Sequence, residues 1–368
     1  MKVLIINKHI SYALGGSEMQ CDLIAKGLSQ IGHQVVYGAV SLPKDFEPSF
    51  SYNYTIVDFD KSSRVSVKGF LEKHKPDVIY WRYNKHGLDK IIPVAKTLDI
   101  PFVYAVSHIN DVTRFAYKPM KPKGLKGKLK SKLSILKQKL QSARQFSYLK
   151  DISGLTSLNS EFIGKLEVPL QKVIKNAVTK VTEPFSSEQP YVAWVSSIKA
   201  SKRPEAYIEL AKNCKDLEFL FLMIGPIQQQ SYEQVVSEAE SLPNFHYLGK
   251  RTPEEVNGIL KNAQLLVHTC EPEGFGNNFI QAWMQGIPTV SLSFDPDNII
   301  LTEGLGFVSG TQDQMQKDVR RLLEDAKLRK EMGSKAKKYA SQHFSEERLS
   351  AEVEEFLTKI VDENRIHS

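Results

Sequence analysis

Cysteine is scarce in this 368-residue chain: Cys21, Cys214 and Cys270 are odd in number and widely scattered. They suggest neither a disulfide framework nor a zinc site, and the expected setting is a reducing cytoplasm. Cys270 reads as a small buried residue, not a nucleophile. Long apolar runs are also missing, since no window approaches the ~18 consecutive apolar residues of a membrane span. The opening MKVLIINKHI has no secretory cleavage pattern and is too short for a signal's apolar region, so it reads as a first strand. No G-x-G-x-x-G follows a strand and no G-x-x-x-x-G-K-[ST] occurs, which disfavours a dinucleotide-dependent dehydrogenase and a P-loop NTPase. Neither H-E-x-x-H nor an acidic cluster suggests a metal.

The rest of the composition is globular: 41% apolar and 25% charged, in a length comfortable for two domains. The formal charge of +7 is unevenly placed. Eleven Lys or Arg and no Asp or Glu lie between Lys118 and Lys150, so the remainder is mildly acidic. Within that segment Leu125, Leu129, Leu133, Leu136 and Leu140 recur at helical spacing, and lysines flank the stripe. Three readings fit: a solvated helix, a helix packed by its leucines on the first domain, or contact of Lys126, Lys128, Lys130 and Lys132 with an anionic membrane surface. RNA is disfavoured because stacking aromatics are not interleaved with the lysines.

Apolar strand runs alternate with helical periods along most of the chain. Residues 2–7 and 35–40 read as strands around a helix that stops at Gly32, with Ser17 as its cap and Gln20 at capping-box spacing. A short helix is expected over 161–166. The polar, proline-containing stretch 179–190 (TKVTEPFSSEQP) is the best linker. Alternation then restarts and ends in helices over 313–325, 327–343 and 346–364. The expected fold is α/β: two Rossmann-like, doubly wound parallel sheets, over 1–180 and 190–343. Two such domains facing across a cleft make the cleft the default site.

The stretch 265–290, LLVHTCEPEGFGNNFIQAWMQGIPTV, reads as strand, glycine turn, helix and next strand. Such a turn sits at the carboxyl edge of a parallel sheet, where unpaired helix N–H groups attract an anion such as a diphosphate. Glu273 lies in the turn, and Gln281 is about one turn into the helix, within reach of a hydroxyl.

EGFGNNFIQAWMQGIP resembles the donor-site motif of retaining nucleotide-sugar glycosyltransferases of family 4, and the resemblance extends over nearly the whole chain. It implies the GT-B architecture, with helix 346–364 crossing back to an acceptor-side first domain. It also implies transfer with retention from a UDP- or GDP-sugar to the hydroxyl of a glycan or lipid-linked acceptor, without a metal or other cofactor and without nucleic acid. Glu273 matches the first of two family glutamates that frame the donor. Gln281 stands where the second is expected; it keeps hydrogen-bonding capacity but lacks charge. In VSSIKASKRP, Lys202 matches a family lysine on the diphosphate, whereas Ser197 replaces an arginine. Gly15 and Gly16 correspond to a loop that closes over the donor phosphates. His108 lies where a family histidine contacts the donor sugar, and the amides of Phe275, Gly276 and Asn277 face sugar and phosphates. The catalytic set implied is Glu273, His108 and Lys202. The expected role is surface polysaccharide or glycolipid synthesis, in the cytoplasm or on the inner face of the membrane. Two alternatives stand beside it: a hydrolysing nucleotide-sugar epimerase of the same architecture, and a non-catalytic nucleotide-sugar-binding partner. Replacing Glu273 with Ala is expected to abolish transfer and leave the fold intact, since an exposed turn residue contributes little stability. A folded variant with unchanged turnover would exclude Glu273 from the site.

Overall fold

The computed structural model describes residues 1–13, 15–47, 51–117, 124–179, 182–270 and 275–367, with only the backbone of 124–129 and 367. The chain divides into two compact units, residues 1–176 with 346–368, and residues 177–345. The division falls just ahead of the proline-containing stretch at 179–190.

Unit 1 begins β1 (Lys2–Asn7), α1 (Gly16–Gln30), β2 (Gln34–Ala39), β3 (Thr55–Asp58), α2 (Arg64–His74), β4 (Val78–Trp81), α3 (Leu88–Thr97) and β5 (Phe102–Val106). It continues with α4 (Gly124–Phe146), β6 (Gly154–Ser157) and β7 (Leu170–Val173). The strands pair in the order β3-β2-β1-β4-β5-β6-β7, every ladder parallel. A parallel sheet is covered on both faces, and β1, β4 and β5 are accordingly almost wholly buried runs. The helix expected over 161–166 is only a 3-10 turn at Ser160–Phe162. Val168-Pro169 follows closely and forces extended backbone, which leaves too few residues to sustain a helical nucleus.

Unit 2 contains β8 (Tyr191–Val195), α5 (Pro204–Asn213), β9 (Leu220–Ile224), α6 (Glu233–Ala239), β10 (Phe245–Gly249), α7 (Pro253–Asn262) and β11 (Leu265–His268). After these come α8 (Asn277–Met284), β12 (Thr289–Ser291), α9 (Ile299–Thr302), β13 (Gly306–Val308), α10 (Gln312–Glu324) and α11 (Ala326–His343). Its order is β10-β9-β8-β11-β12-β13, again parallel throughout. Helix starts follow local chemistry. Thr252 and Glu255 form a reciprocal capping box on α7, and Pro253 and Pro204 occupy first-turn positions where no N–H is needed.

The last helix, α12 (Glu346–His367), belongs to unit 1. It lies against α1 and over β6, where side chains added at Gly27 and Gly154 would run into Ser350 and into Phe356 and Ile360. Gly27 is buried in this contact, so the helix backbones approach as closely as a missing side chain allows. Gly27→Val is expected to push α12 away and cost about 1–3 kcal/mol, the usual range for overpacking. Chemical denaturation reads this as a lower midpoint for the variant; an unchanged midpoint would mean that α12 has room to spare.

Candidate functional site

In each unit the strand order reverses at one point, between β1 and β4 in unit 1 and between β8 and β11 in unit 2. The loops leaving those carboxyl ends diverge to opposite faces and leave a crevice there.

In unit 2 the crevice is built from three loops. Trp194, near the end of β8, donates its indole N–H to Thr269 Oγ1 at 2.9 Å, and that hydroxyl donates to the Lys202 carbonyl at 2.7 Å. Asn278 Nδ2 donates to the Val195 carbonyl at 2.9 Å and ties the first turn of α8 to the end of β8. The segments holding Ser197, Lys202 and Asn277 are thereby drawn to one edge. Gly225, after β9, adopts a φ of 139°, and a Cβ there would strike the Ser196 carbonyl. Gly276 caps α8 at φ 85°, a region L side chains avoid, and a Cβ would press on the Phe279 ring. Phe275 is buried and packs edge-on against Phe344, 5.5 Å between centroids. This anchors the residue before Gly276 and with it the start of α8, the positive end of a helix dipole. Glu273 and the rest of 271–274 lie outside the described residues.

Gln281 departs from expectation. It is only 7% exposed, and its amide donates to Asn257 Oδ1 at 3.0 Å, while Asn257 Nδ2 donates to the Thr179 carbonyl at 2.9 Å. One amide proton expected to reach a ligand hydroxyl is thus engaged inside unit 2. The partner lies 24 residues upstream on α7 and carries no sequence signal.

In unit 1 a cavity of about 270 Å³ lies at the reversal point, lined by Asn7, Ser17, Glu18, Arg82, Ser107 and Asp111 among others. It gathers the neighbours of Gly15, Gly16 and His108 at one place. Ser17 is not the cap of α1, which starts at Gly16 after an extended Gly15 with no side-chain cap. Ser17 Oγ instead accepts from Asn7 Nδ2 at 3.0 Å and donates to the Arg82 carbonyl at 3.2 Å, spending the hydroxyl on strand ends. His108 is exposed just past β5. Its Nδ1 accepts from the Asn110 N–H at 3.1 Å, which leaves the ring proton on Nε2 as an outward donor. Asp111 accepts from the N–H groups of Ser107 and His108, yet burial pushes its carboxyl up. Burial likewise raises Glu18. Arg82 is 5% exposed and donates to Asn176 Oδ1 at 2.7 Å, while its Nε and the Ser107 hydroxyl have no partner among the described residues. Arg82 escaped sequence reasoning; the one available signal was a charged residue directly after the apolar strand β4.

The basic helix α4 is inverted relative to a leucine-packed one. It buries Ser131, Ser142 and Gln145 and exposes Leu133, Leu136 and Leu140 by 61%, 55% and 62%. Polar anchors cause this: Lys85 Nζ donates to Ser142 Oγ at 2.8 Å, and Gln145 exchanges hydrogen bonds with Asp89 at 2.7 and 2.9 Å. Packing by the leucine stripe is therefore corrected for these three residues. Lys130 and Lys132 are exposed beside them; the side chains of Lys126 and Lys128 lie outside the described residues. All three cysteines are free and buried. Among the described residues no helix is long and apolar enough to cross a membrane, and no group of three His, Cys, Asp or Glu could hold a metal.

Comparison with known proteins adds a family match over part of the chain. Residues 178–339 match the family described as glycosyl transferases group 1. A curated relative, 2-deoxystreptamine N-acetyl-D-glucosaminyltransferase of Niallia circulans, is 26% identical over 242 residues, 61% of this chain and 60% of that protein. The matched region thus spans less than two thirds of the relative. Among solved structures, sucrose-phosphate synthase of Thermosynechococcus elongatus superposes with a TM-score of 0.78 at 12% identity, covering 98% of both chains. Anabaena HepE in complex with UDP-glucose gives 0.73 at 18% identity, over 98% of this chain and all of that one. At these identities the likeness is one of fold: two Rossmann-like parallel-sheet domains of GT-B type.

The Gln281–Asn257 pair makes a charge at position 281 costly. In Gln281→Glu a carboxylate oxygen faces Asn257 Oδ1, and Asn257 cannot flip without losing Thr179. The expected loss is about 1–3 kcal/mol at neutral pH. Burial raises the new carboxyl's pKa, and protonation restores a donor toward Asn257, so the loss shrinks on acidification. Denaturant midpoints of wild type and variant across pH test this; a pH-independent difference would argue against the buried pair.

Proposed function

Because residues 178–339 match the family of glycosyl transferases group 1, we propose that the chain transfers a sugar, with retention, from a UDP- or GDP-sugar to an acceptor hydroxyl. The observation that carries this reading is Gly276 and the start of α8 at the β8–β11 reversal point, with Lys202 tethered to the same edge by Thr269. A nucleoside diphosphate leaving a sugar carries growing negative charge. Lys202 and the N–H groups opening α8 stabilise that charge electrostatically, so the reaction needs no metal. Glu273 hydrogen-bonds the donor sugar, and Gly15, Gly16 and His108 are assigned to ligand binding. HepE, similar in fold, holds UDP-glucose, which supports a nucleotide-sugar donor. Ser197 and the engaged Gln281 favour a second reading, a protein that binds nucleotide sugars without turning them over. A thermal-shift screen over nucleotide sugars, followed by assay of sugar release, separates the two. Steady release supports transfer, and binding without release supports the second reading.

The outward leucines of α4 support work at a membrane. Leu133, Leu136 and Leu140 enter the acyl boundary while Lys130, Lys132 and their basic neighbours meet anionic head groups, each lysine contributing on the order of 1 kcal/mol. This gives access to a lipid-linked acceptor from the cytoplasmic side, in surface polysaccharide or glycolipid synthesis. Sedimentation with vesicles is expected to rise with anionic lipid, fall with salt, and drop when Lys126, Lys128, Lys130 and Lys132 become Ser. Equal sedimentation on neutral and anionic vesicles, or none on either, would favour a soluble acceptor.

A further inference from the structure

Unit 1 has a second, larger hollow, lined by a different set of residues from the cavity at its reversal point. It is a groove of about 690 Å³ between the start of α3 and the outward side of α4, with Lys61 also in its wall. Two chemistries share it. Leu133, Leu136 and Leu140 form an apolar wall, and Lys61, Lys90, Lys137 and Arg144 bring positive charge.

The carboxylate in the lining is already spent. Asp89 lies 2.6 Å from Lys90 Nζ and 3.4 Å from Arg144, and it accepts from the Gln145 amide at 2.7 Å. Those contacts answer Lys90 and Arg144. Lys61 and Lys137 make no ion pair among the described residues.

Lys61 is not a loose surface side chain. Its stem lies over Gly87, where a Cβ would come within 3.1 Å of Lys61 Cδ, and its Nζ lies 5.6 Å from the centre of the Tyr83 ring. His86 borders the same groove. Its Nδ1 accepts from the Gln141 amide at 3.3 Å, which ties the loop before α3 to α4 and leaves the ring proton on Nε2. Burial, and then the charges of Lys61 and Lys85, push the His86 pKa down against the pull of Asp89. The groove therefore holds more positive potential than its own groups neutralise.

A soluble anion has no use for three leucines, and an apolar peptide has none for two unanswered lysines. A lipid phosphate uses both. We propose that this groove seats one anionic lipid, its phosphate on Lys61 and Lys137 and the first part of its chain along Leu133, Leu136 and Leu140. The proposal deepens the membrane reading above, on which the source of the lipid rests. Adsorption by summed charge accepts any anionic surface. A seat holds one molecule by its phosphate and fixes which face of unit 1 meets the bilayer.

The test uses the full chain and dihexanoyl phosphatidic acid, kept below the concentration at which it aggregates, in a calorimetric titration. Saturable binding of one lipid per chain is expected. Dihexanoyl phosphatidylcholine, whose phosphate is answered by its own choline, and inorganic phosphate, which has no chain, should each bind at least about tenfold more weakly. Lys61→Ala and Lys137→Ala should each weaken the lipid roughly fivefold, the effect of one lysine at an anionic lipid surface. Neither lysine carries an ion pair, so the fold should survive, and circular dichroism checks this. Lengthening the chains from dibutanoyl to dihexanoyl should tighten binding, by at most about fourfold per buried methylene. Replacing Leu133, Leu136 and Leu140 with Ser should abolish that gain. Three results would each overturn the seat: no binding of the monomeric lipid, undiminished binding in the Lys61→Ala/Lys137→Ala double variant, or inorganic phosphate or polyglutamate held as tightly as the lipid. Vesicles separate this failure from that of the membrane reading. Sedimentation with anionic vesicles but no binding of monomeric lipid leaves adsorption standing and removes the seat. Binding of monomeric lipid without sedimentation on any vesicle keeps the seat and removes the bilayer.

Discussion

Both units obey one constraint: a parallel sheet has to be covered on both faces. Every strand must therefore be followed by a crossover segment, and all strand-to-helix loops collect at the carboxyl edge. Where the strand order reverses, successive crossovers diverge and leave a crevice that no side chain of the core fills. The residues assigned to ligand binding lie around those two places, where unfilled space, loop backbone and helix N-termini meet. Glycines follow from the same geometry. Gly225 and Gly276 stand where strand ends and a helix start crowd together, and any Cβ would displace backbone or an aromatic ring.

Holding these crevices in shape requires polar groups in the interior, and most are matched by a partner. Thr269 serves two, accepting from Trp194 and donating to the Lys202 carbonyl, so one buried hydroxyl links β8, β11 and the lysine loop. Ser17 plays a comparable part in unit 1 between Asn7 and Arg82. The exceptions are informative. Arg82 Nε and Ser107 Oγ, both in the unit 1 cavity, lack partners among the described residues. Unpaired buried polar atoms cost free energy wherever they occur, and at a ligand-facing edge they mark groups that a ligand or water completes.

Surface and interior trade places along α4. Its serines and a glutamine face inward because Lys85 and Asp89, themselves buried, need hydrogen-bonding partners more than the core needs three leucines. The outward apolar stripe is thus a consequence of polar satisfaction inside. It sits beside the most basic stretch of the chain, which gives that surface its amphipathic character.

Much of this was legible from the residues. Strand runs, helical periods and glycines at helix ends are local signals, and they place most elements within a residue or two, along with the loops that carry Gly15, Ser197, Lys202 and Gly276. The family resemblance likewise rested on short contiguous motifs. What escaped was non-local. Gln281 looked open because nothing in its own helix announces Asn257, and the leucine stripe left packing and exposure both open because its period says nothing about which side the neighbours require. The hydrogen bond between His9 and Tyr54 joins residues 45 apart and forms because parallel pairing sets β1 beside β2 and β2 beside β3. Periodicity and turn chemistry act over a few residues, so the sequence by itself determined the elements and their order. The partner of a buried polar side chain is selected by distance and direction in space, so only the tertiary structure decided which amides, hydroxyls and imidazoles remain available for chemistry.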